Sequence, residues 1–217
     1  DLGDRVLPAS RTTPGALELH KSFAAMLRAE CEFCVLEVSS HALAQQRVAG
    51  LEFAATAFTN LTQDHLDYHG KMESYFATKR QLFKMAATDA FQCVNGDDSF
   101  GRRLADEFGL QTVGEQAATQ SVVIRELQQA STVFEMNGMA YTMPLIGRHN
   151  VANSSLAVAL AQGLGVSAST CAHALALAPP VPGRLEPVDC GQPFAVYVDY
   201  AHTDDALRQV LCTLREI

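Results

Sequence analysis

Apolar runs, each leading into a helical pattern, constrain this chain more than any other feature it has. FCVLEVSS (33–40) places four apolar residues in a row before Glu37, FAATAFTN (53–60) is a second run, and FQCVNGDD (91–98) a third that ends in a turn. Unbroken rather than alternating apolarity suits strands covered on both faces, as in a parallel sheet. Between the runs lie helical patterns. TTPGALELHKSFAAMLRA (12–29) reads as a helix, with Thr13 as N-cap and Pro14 in the first helical position. HALAQQRV (41–48) and residues 71–87 read as helices, the latter with Tyr75, Phe76, Leu82 and Phe83 as its apolar side, and SFGRRLADEFG (99–109) as a helix closed by glycine. Strands alternating with helices predict an α/β fold with a mostly parallel sheet flanked by helices.

The texture changes between residues 111 and 146. TVGE, SVVIREL and STVFEMNGMAYTMPL are short alternating strands, and Asn137-Gly138 is a hairpin turn, so a small antiparallel ribbon is expected there. Two helices follow (149–165 and 167–178), then strands within 180–203 and a last helix. The chain opens at DLGDRVLPAS and closes on the helical ALRQVLCTLREI without a cap, which suggests a piece of a longer protein.

Composition narrows the function classes. The 217 residues carry a formal net charge of −8 and no Lys/Arg-rich run, which argues against nucleic acid or an anionic membrane as partner. No membrane-length apolar run or signal peptide is present. The six cysteines are scattered; the Cys31–Cys34 pair has no second CxxC and no neighbouring histidine, so free buried thiols in a reducing cytoplasm are expected.

Two stretches carry chemistry. In EVSSHALAQQRV (37–48), Glu37 closes an apolar run, and a carboxylate buried there needs a partner or a metal. Ser39, Ser40 and His41 start a helix with Gln45 and Arg47 in its next turns, and an arginine with hydroxyls and an amide suits holding a phosphate or carboxylate. The plain alternative is a surface turn. In NLTQDHLDYHGKMESYFATKRQLF (60–83), Asp64, His65, Asp67 and His69 crowd six residues. His65 and His69 stand four apart, but HLDYH is not the HExxH of a zinc protease, and carboxylates with one imidazole fit a hard cation such as magnesium better. Solvated or capping histidines are the alternative. Lys79 follows on the same helical pattern. A desolvated lysine loses its charge readily, and a neutral amine can add carbon dioxide to give a carbamate, a latent carboxylate for a cation. A solvated lysine is the plainer reading.

Taken together, TTP (12–14), EVSSHALAQQRV, FTNLTQDHLDYHG (58–70), YFATKRQLF (75–83), NGDD (95–98), GRHNVANSSLA (147–157), PGRLE (182–186) and VDYAHTDDAL (198–207) resemble the Mur ligases, in consistent order over nearly the whole chain. Within that family the likeness is strongest to the member that adds the third amino acid, diaminopimelate or lysine, to UDP-MurNAc-L-Ala-D-Glu in peptidoglycan synthesis. The resemblance implies ATP-dependent amide-bond formation through an acyl phosphate, with Mg2+ as cofactor and ATP as co-substrate. It implies that Thr12, Thr13, Ser39, Gln45, Arg47 and His202 contact the UDP-muramoyl peptide. Glu37, His65 and a carbamylated Lys79 would hold magnesium. Asn150 would lie at the adenine and Arg184 at the ATP phosphates, with Lys79, His65 and Arg184 as the catalytic set. A cytoplasmic bacterial monomer is the family expectation.

The departures also carry weight. A Gly-rich phosphate loop of GxxGKT type is absent; the only Gly-Lys is Gly70-Lys71. Asp204 stands where the family pattern DYAHTPDAL has proline. The expectation is a central ATP-binding domain over 1–185 without its N-terminal phosphate-loop segment, then the start of the C-terminal domain over 186–217, the piece being inactive alone. A folylpolyglutamate synthetase-like ligase, a noncatalytic ligase-derived binding module and a metal hydrolase using the two histidines are the rival readings.

Overall fold

A computed structural model describes residue 9, residues 11–116 and residues 118–217. Its helices are α1 (Ala16–Arg28), α2 (Ser40–Ala44), α3 (Leu66–His69), α4 (Met72–Lys79), α5 (Ser99–Phe108), α6 (Arg148–Gly163), α7 (Ala168–Ala176) and α8 (Asp204–Glu216). Its strands are β1 (Phe53–Phe58), β2 (Ala86–Asn95), β3 (Gln111–Gly114), β4 (Gln120–Leu127), β5 (Thr132–Met136), β6 (Met139–Met143), β7 (Glu186–Pro187) and β8 (Tyr197–Val198). The chain divides into two compact units, Asp1–Phe53 with Asp64–Thr88, and Ala54–Gln63 with Asp89–Ile217.

The larger unit carries the sheet, in the order β1-β2-β3-β4-β5-β6. β2, β3 and β4 run parallel, whereas β4-β5 and β5-β6 are antiparallel. The α/β architecture with an antiparallel ribbon is therefore present as expected, with one correction. β3 (TVG of the ribbon stretch) belongs to the parallel part. Its preceding helix α5 supplies the crossover that a parallel neighbour requires. The ribbon turns at Asn137 and Gly138, whose φ angles of 52° and 76° are the pair a tight two-residue hairpin needs. The core gathers Val113, Val122, Phe134, Met136, Tyr141 and Met143 from the strands with Val151, Leu156, Val158 and Cys171 from α6 and α7. Phe134 and Tyr141 stack with ring centroids 5.1 Å apart.

α5 starts on Asp98, whose Oδ1 accepts from the N–H groups of Phe100 and Gly101, and ends on Gly109 at φ 68°. Both ends follow from local chemistry, an acceptor for orphan donors and a residue tolerant of the left-handed conformation. The neighbouring Asp97 carboxylate accepts from Glu115 and Gln116 N–H, which fastens the NGDD turn to the end of β3.

The smaller unit has its own cluster of Leu19, Leu43 and Val48, lined by Phe23, Leu36, Val38, Leu51, Phe53, Leu82 and Met85. Here the structure corrects several expectations. The first helix begins at Ala16, not at residue 12, with Gly15 as its N-cap, because Thr13 is engaged elsewhere. Residues 33–39 form no helix and join no ladder among the described residues. Leu36 and Val38 face the cluster while Val35 is 98% exposed, so the run is covered on one face only. The helix expected over 41–48 is α2 alone, closed by turns in which Gln46 takes φ 54°. The helix expected over 71–87 is α4 followed by a tighter 3₁₀ segment (Arg80–Met85), and β2 begins at Ala86. Switching pitch there still buries Tyr75, Phe76 and Phe83. In the larger unit, the strands expected within 180–203 shrink to the two-residue pair β7-β8. Cys31 and Cys34 are free but not buried; Cys34 is exposed.

Candidate functional site

Within the smaller unit, Thr13 organises one half of the candidate site. It is fully buried. Its Oγ1 donates to the Glu37 carbonyl at 2.8 Å and accepts from the Ser39 N–H at 3.0 Å, with Ser39 Oγ 3.3 Å away. Ser39 in turn caps α2 by accepting from Ala42 N–H. Arg47 Nη1 donates to the Thr13 carbonyl at 2.9 Å, and its Nε donates to Gln45 Oε1 at 3.0 Å. The expected substrate set Thr13, Ser39, Gln45 and Arg47 thus forms one hydrogen-bonded network. Thr12 lies beside it in sequence and is exposed.

The second half is built on the histidines. His65 sits in the left-handed region at φ 52°, as N-cap of α3, a conformation that histidine tolerates better than most residues. Its N–H donates to Asp64 Oδ1 at 2.7 Å, and its Nε2 lies 3.5 Å from Asp64 Oδ2. The His41 ring lies 5.0 Å from that of His65 and 5.7 Å from that of His69. His69 Nε2 is 2.9 Å from Ser40 Oγ, and its ring is stacked on Tyr75 at 4.7 Å and 12°. α4 places Lys79 one turn after Tyr75, with Nζ 5.2 Å from the ring centroid.

Burial pulls the Lys79 amine below the usual lysine range, while the Glu37 and Asp64 carboxylates oppose that shift. Burial also lowers His69, helped by the charges of His41, His65 and Lys79 and opposed by Asp67. Glu37 itself is exposed, which corrects the expectation of a buried strand-end carboxylate. Water can solvate it, so no cation is needed to offset its charge. Among the described residues no three of His, Cys, Asp and Glu are arranged to hold a metal ion. Glu37 and His65 are one carboxylate and one imidazole, and a carbamate on Lys79 would add the further oxygen donor that a hard cation prefers. With a desolvated amine under the influence of two carboxylates, the donor chemistry fits that group.

The larger unit holds the remaining expected residues. Asn150 lies in the first turn of α6 and donates from Nδ2 to the Ile146 carbonyl. Arg184 has its guanidinium 5.7 Å from the Tyr200 ring, and that ring lies 4.9 Å from His202. Arg184 and His202 thus share one aromatic neighbour, and His202 Nδ1 is 2.8 Å from the Tyr200 carbonyl. Asp199 is held by the N–H groups of Leu185 and Ala201, and it pulls against the burial that lowers His149. Gly70 and Lys71 form the junction of α3 and α4, not a phosphate loop. Sequence reasoning placed Ser40 and His41 beside Ser39 at the start of a helix, and missed Tyr75, Tyr200 and Asp199 as members of these clusters. Only their places inside the quoted motifs hinted at them.

The comparisons agree with this picture. A model of the Mur ligase middle domain matches residues 2–161. The UDP-N-acetylmuramoyl-L-alanyl-D-glutamate–2,6-diaminopimelate ligase of Solibacter usitatus is 42% identical over 99% of this chain and 45% of its own length. That of Gloeobacter violaceus is 43% identical over 94% of this chain and 43% of its own length. A solved structure of a ligase with the same name superposes with a TM-score of 0.80 at 28% identity, covering 94% of this chain and 44% of the other. MurF from Thermotoga maritima, solved in complex with ADP, shares the fold at a TM-score of 0.67 and 17% identity, covering 89% of this chain and 48% of that one. The chain spans less than half the length of the curated relatives it matches. Matched by the family's middle-domain model over most of its length, this chain belongs to the Mur ligase family.

Proposed function

We propose that this chain is the central part of an ATP-dependent ligase that adds the third amino acid to UDP-MurNAc-L-Ala-D-Glu. The observation that carries the reading is Lys79, a desolvated amine acted on by Glu37 and Asp64 in a chain about 40% identical to ligases of that name. In this reading the substrate carboxylate attacks the γ-phosphorus of ATP; an O–P bond forms, the bond to the β-phosphate oxygen breaks and ADP leaves. The amine of the incoming diaminopimelate or lysine then attacks the acyl carbon, expels phosphate and gives up a proton. A divalent cation such as magnesium would supply charge neutralisation at the phosphate oxygens. Glu37, His65 and the carbamate of Lys79 are the residues that would hold it.

The network of Thr13, Ser39, Gln45 and Arg47, with Thr12 and His202, would orient the muramoyl peptide. Asn150 would face the adenine, and Arg184 would meet phosphate oxygens with its forked donors. Residues 1–185 would serve as the ATP-binding domain and 186–217 as the start of the next. The reading places the enzyme in a bacterial cytoplasm as a monomer. Among the described residues no helix is long and apolar enough to cross a membrane.

The test is made on the complete protein, with ATP, UDP-MurNAc-L-Ala-D-Glu and either diaminopimelate or lysine. Amide product and ADP should form in equal amounts, and Lys79→Ala should lower kcat by roughly 10²–10³-fold, the scale of losing one preorganised charge-stabilising group. Phosphate release without amide formation, or full activity in Lys79→Ala, would overturn the reading.

A further inference from the structure

α8 rests on the start of α6 by a seat that the proposed reaction does not use. Thr213 of α8 is buried, at 7% exposure, and lies on Gly147, the N-cap of α6. Gly147 takes φ 91°, and a Cβ there would stand 2.5 Å from Thr213 Cγ2, so only glycine admits the contact. The large apolar residues of α8 point elsewhere, with Leu207 47% and Leu211 60% exposed. Charge fixes the register of the helix on its seat. Arg148 Nε donates to Glu216 Oε2 at 3.0 Å, and its Nη1 donates to Glu115 Oε2 at 3.1 Å. Glu115 is itself tied down, since its N–H donates to Asp97 Oδ2 at 2.8 Å. The turn under the seat is also the one that holds Asn150. The Asn150 N–H donates to the Gly147 carbonyl at 3.0 Å, and its Nδ2 donates to the Ile146 carbonyl at 2.9 Å.

We infer that Thr213, seated on Gly147, is a positioning residue for the nucleotide: it holds the Ile146–Gly147 turn, and with it the Asn150 amide, in the conformation that meets the adenine. This rests on the proposed place of Asn150 at the base. The physical reason is the freedom of glycine. With no side chain of its own, Gly147 can leave φ 91° for other regions once α8 lifts away. Both carbonyls that fix Asn150 would then shift, and ATP binding would have to include the cost of ordering them. The ion pairs of Arg148 sit at half-exposed side chains and are weak one by one. Their part is to choose which residue of α8 faces Gly147, since Glu216 lies three positions after Thr213, on the same side of the helix.

The experiment is calorimetry of the complete protein with ATP, and separately with UDP-MurNAc-L-Ala-D-Glu, alongside thermal midpoints. Thr213→Leu overfills the seat and should weaken ATP binding roughly ten-fold, the scale of overpacking a close contact, while binding of the muramoyl peptide changes far less. Thr213→Val keeps Cγ2 and should bind ATP as wild type does. Arg148→Glu should weaken ATP binding on the order of three-fold at low salt, with the effect fading as salt screens it, and Arg148→Glu combined with Glu216→Arg should recover it. Equal losses for both ligands in Thr213→Leu, or ATP binding unchanged in both Thr213→Leu and Arg148→Glu, would make α8 a structural support only and overturn this inference. ATP binding unchanged in Asn150→Ala, or absent in wild type, would instead overturn the reading on which it rests. Should Thr213→Leu fail to fold, the charge exchange decides.

Discussion

His69 shows how a residue that reads as a metal ligand in the sequence packs instead, stacked on Tyr75 and within hydrogen-bond distance of Ser40 Oγ. Burial lowers its proton affinity, and nearby His41, His65 and Lys79 add to this. The sign of its contribution to stability follows. Below about pH 6.5 the unfolded chain gains a proton that folded His69 resists. The unfolded state then binds more protons than the native one, so stability falls as pH drops through that window toward the folded value. His69→Gln, which cannot charge, should flatten the acid limb of a plot of Tm against pH, and an unchanged limb would mean the imidazole is freely solvated. Lys79 follows the same sign at the alkaline end. Its lowered value makes the folded state favour the neutral amine, so stability rises with pH up to the ordinary lysine range.

Elements, by contrast, are decided by short-range donors and acceptors. Asp98 caps α5 and also accepts from the Leu61 N–H at 3.3 Å, so one carboxylate serves a helix end and a separate loop. Asp98→Ala should destabilise by about 1–2 kcal/mol in denaturant unfolding, the usual cost of a lost N-cap. Asp98→Asn, which keeps an acceptor oxygen, should recover most of it; equal losses in both would assign the effect to charge. In the same turn Gly101 has no room for a side chain, since a Cβ would run into the Asn95 carbonyl oxygen. The close approach of α5 to the end of β2 therefore depends on glycine there.

Across the molecule, stability is spread unevenly. The larger unit packs Phe134, Tyr141, Met143 and Val151 at 0–1% exposure between the sheet and α6. Its β7-β8 pair has two residues per strand, with Val196 38%, Val198 49% and Phe194 65% exposed around it. Local opening is easiest where few apolar contacts must be broken. Hydrogen exchange should therefore be slowest in β5 and β6 and fast at the amides of 186–200; comparable protection in both would show that the short ribbon is held by more than its own ladder. The ion pairs of Arg148 with Glu115 and Glu216 lie at half-exposed side chains and contribute little at physiological salt.

The sequence alone determined what depends on near neighbours. The period of apolar residues marked β1 and β2 and the helices α5, α6 and α7. Asn137-Gly138 fixed the hairpin, Gly109 closed α5, and the clustered motifs of residues 37–48 and 60–83 marked the candidate site. Tertiary structure decided what depends on chain closure. Thr13 meets Glu37 across 24 residues and His69 meets Ser40 across 29, and no local pattern encodes such pairings. The same closure left residues 33–39 covered on one face and exposed Glu37, where the apolar run had promised burial. Apolarity states that a face avoids water, but only packing decides which face finds cover.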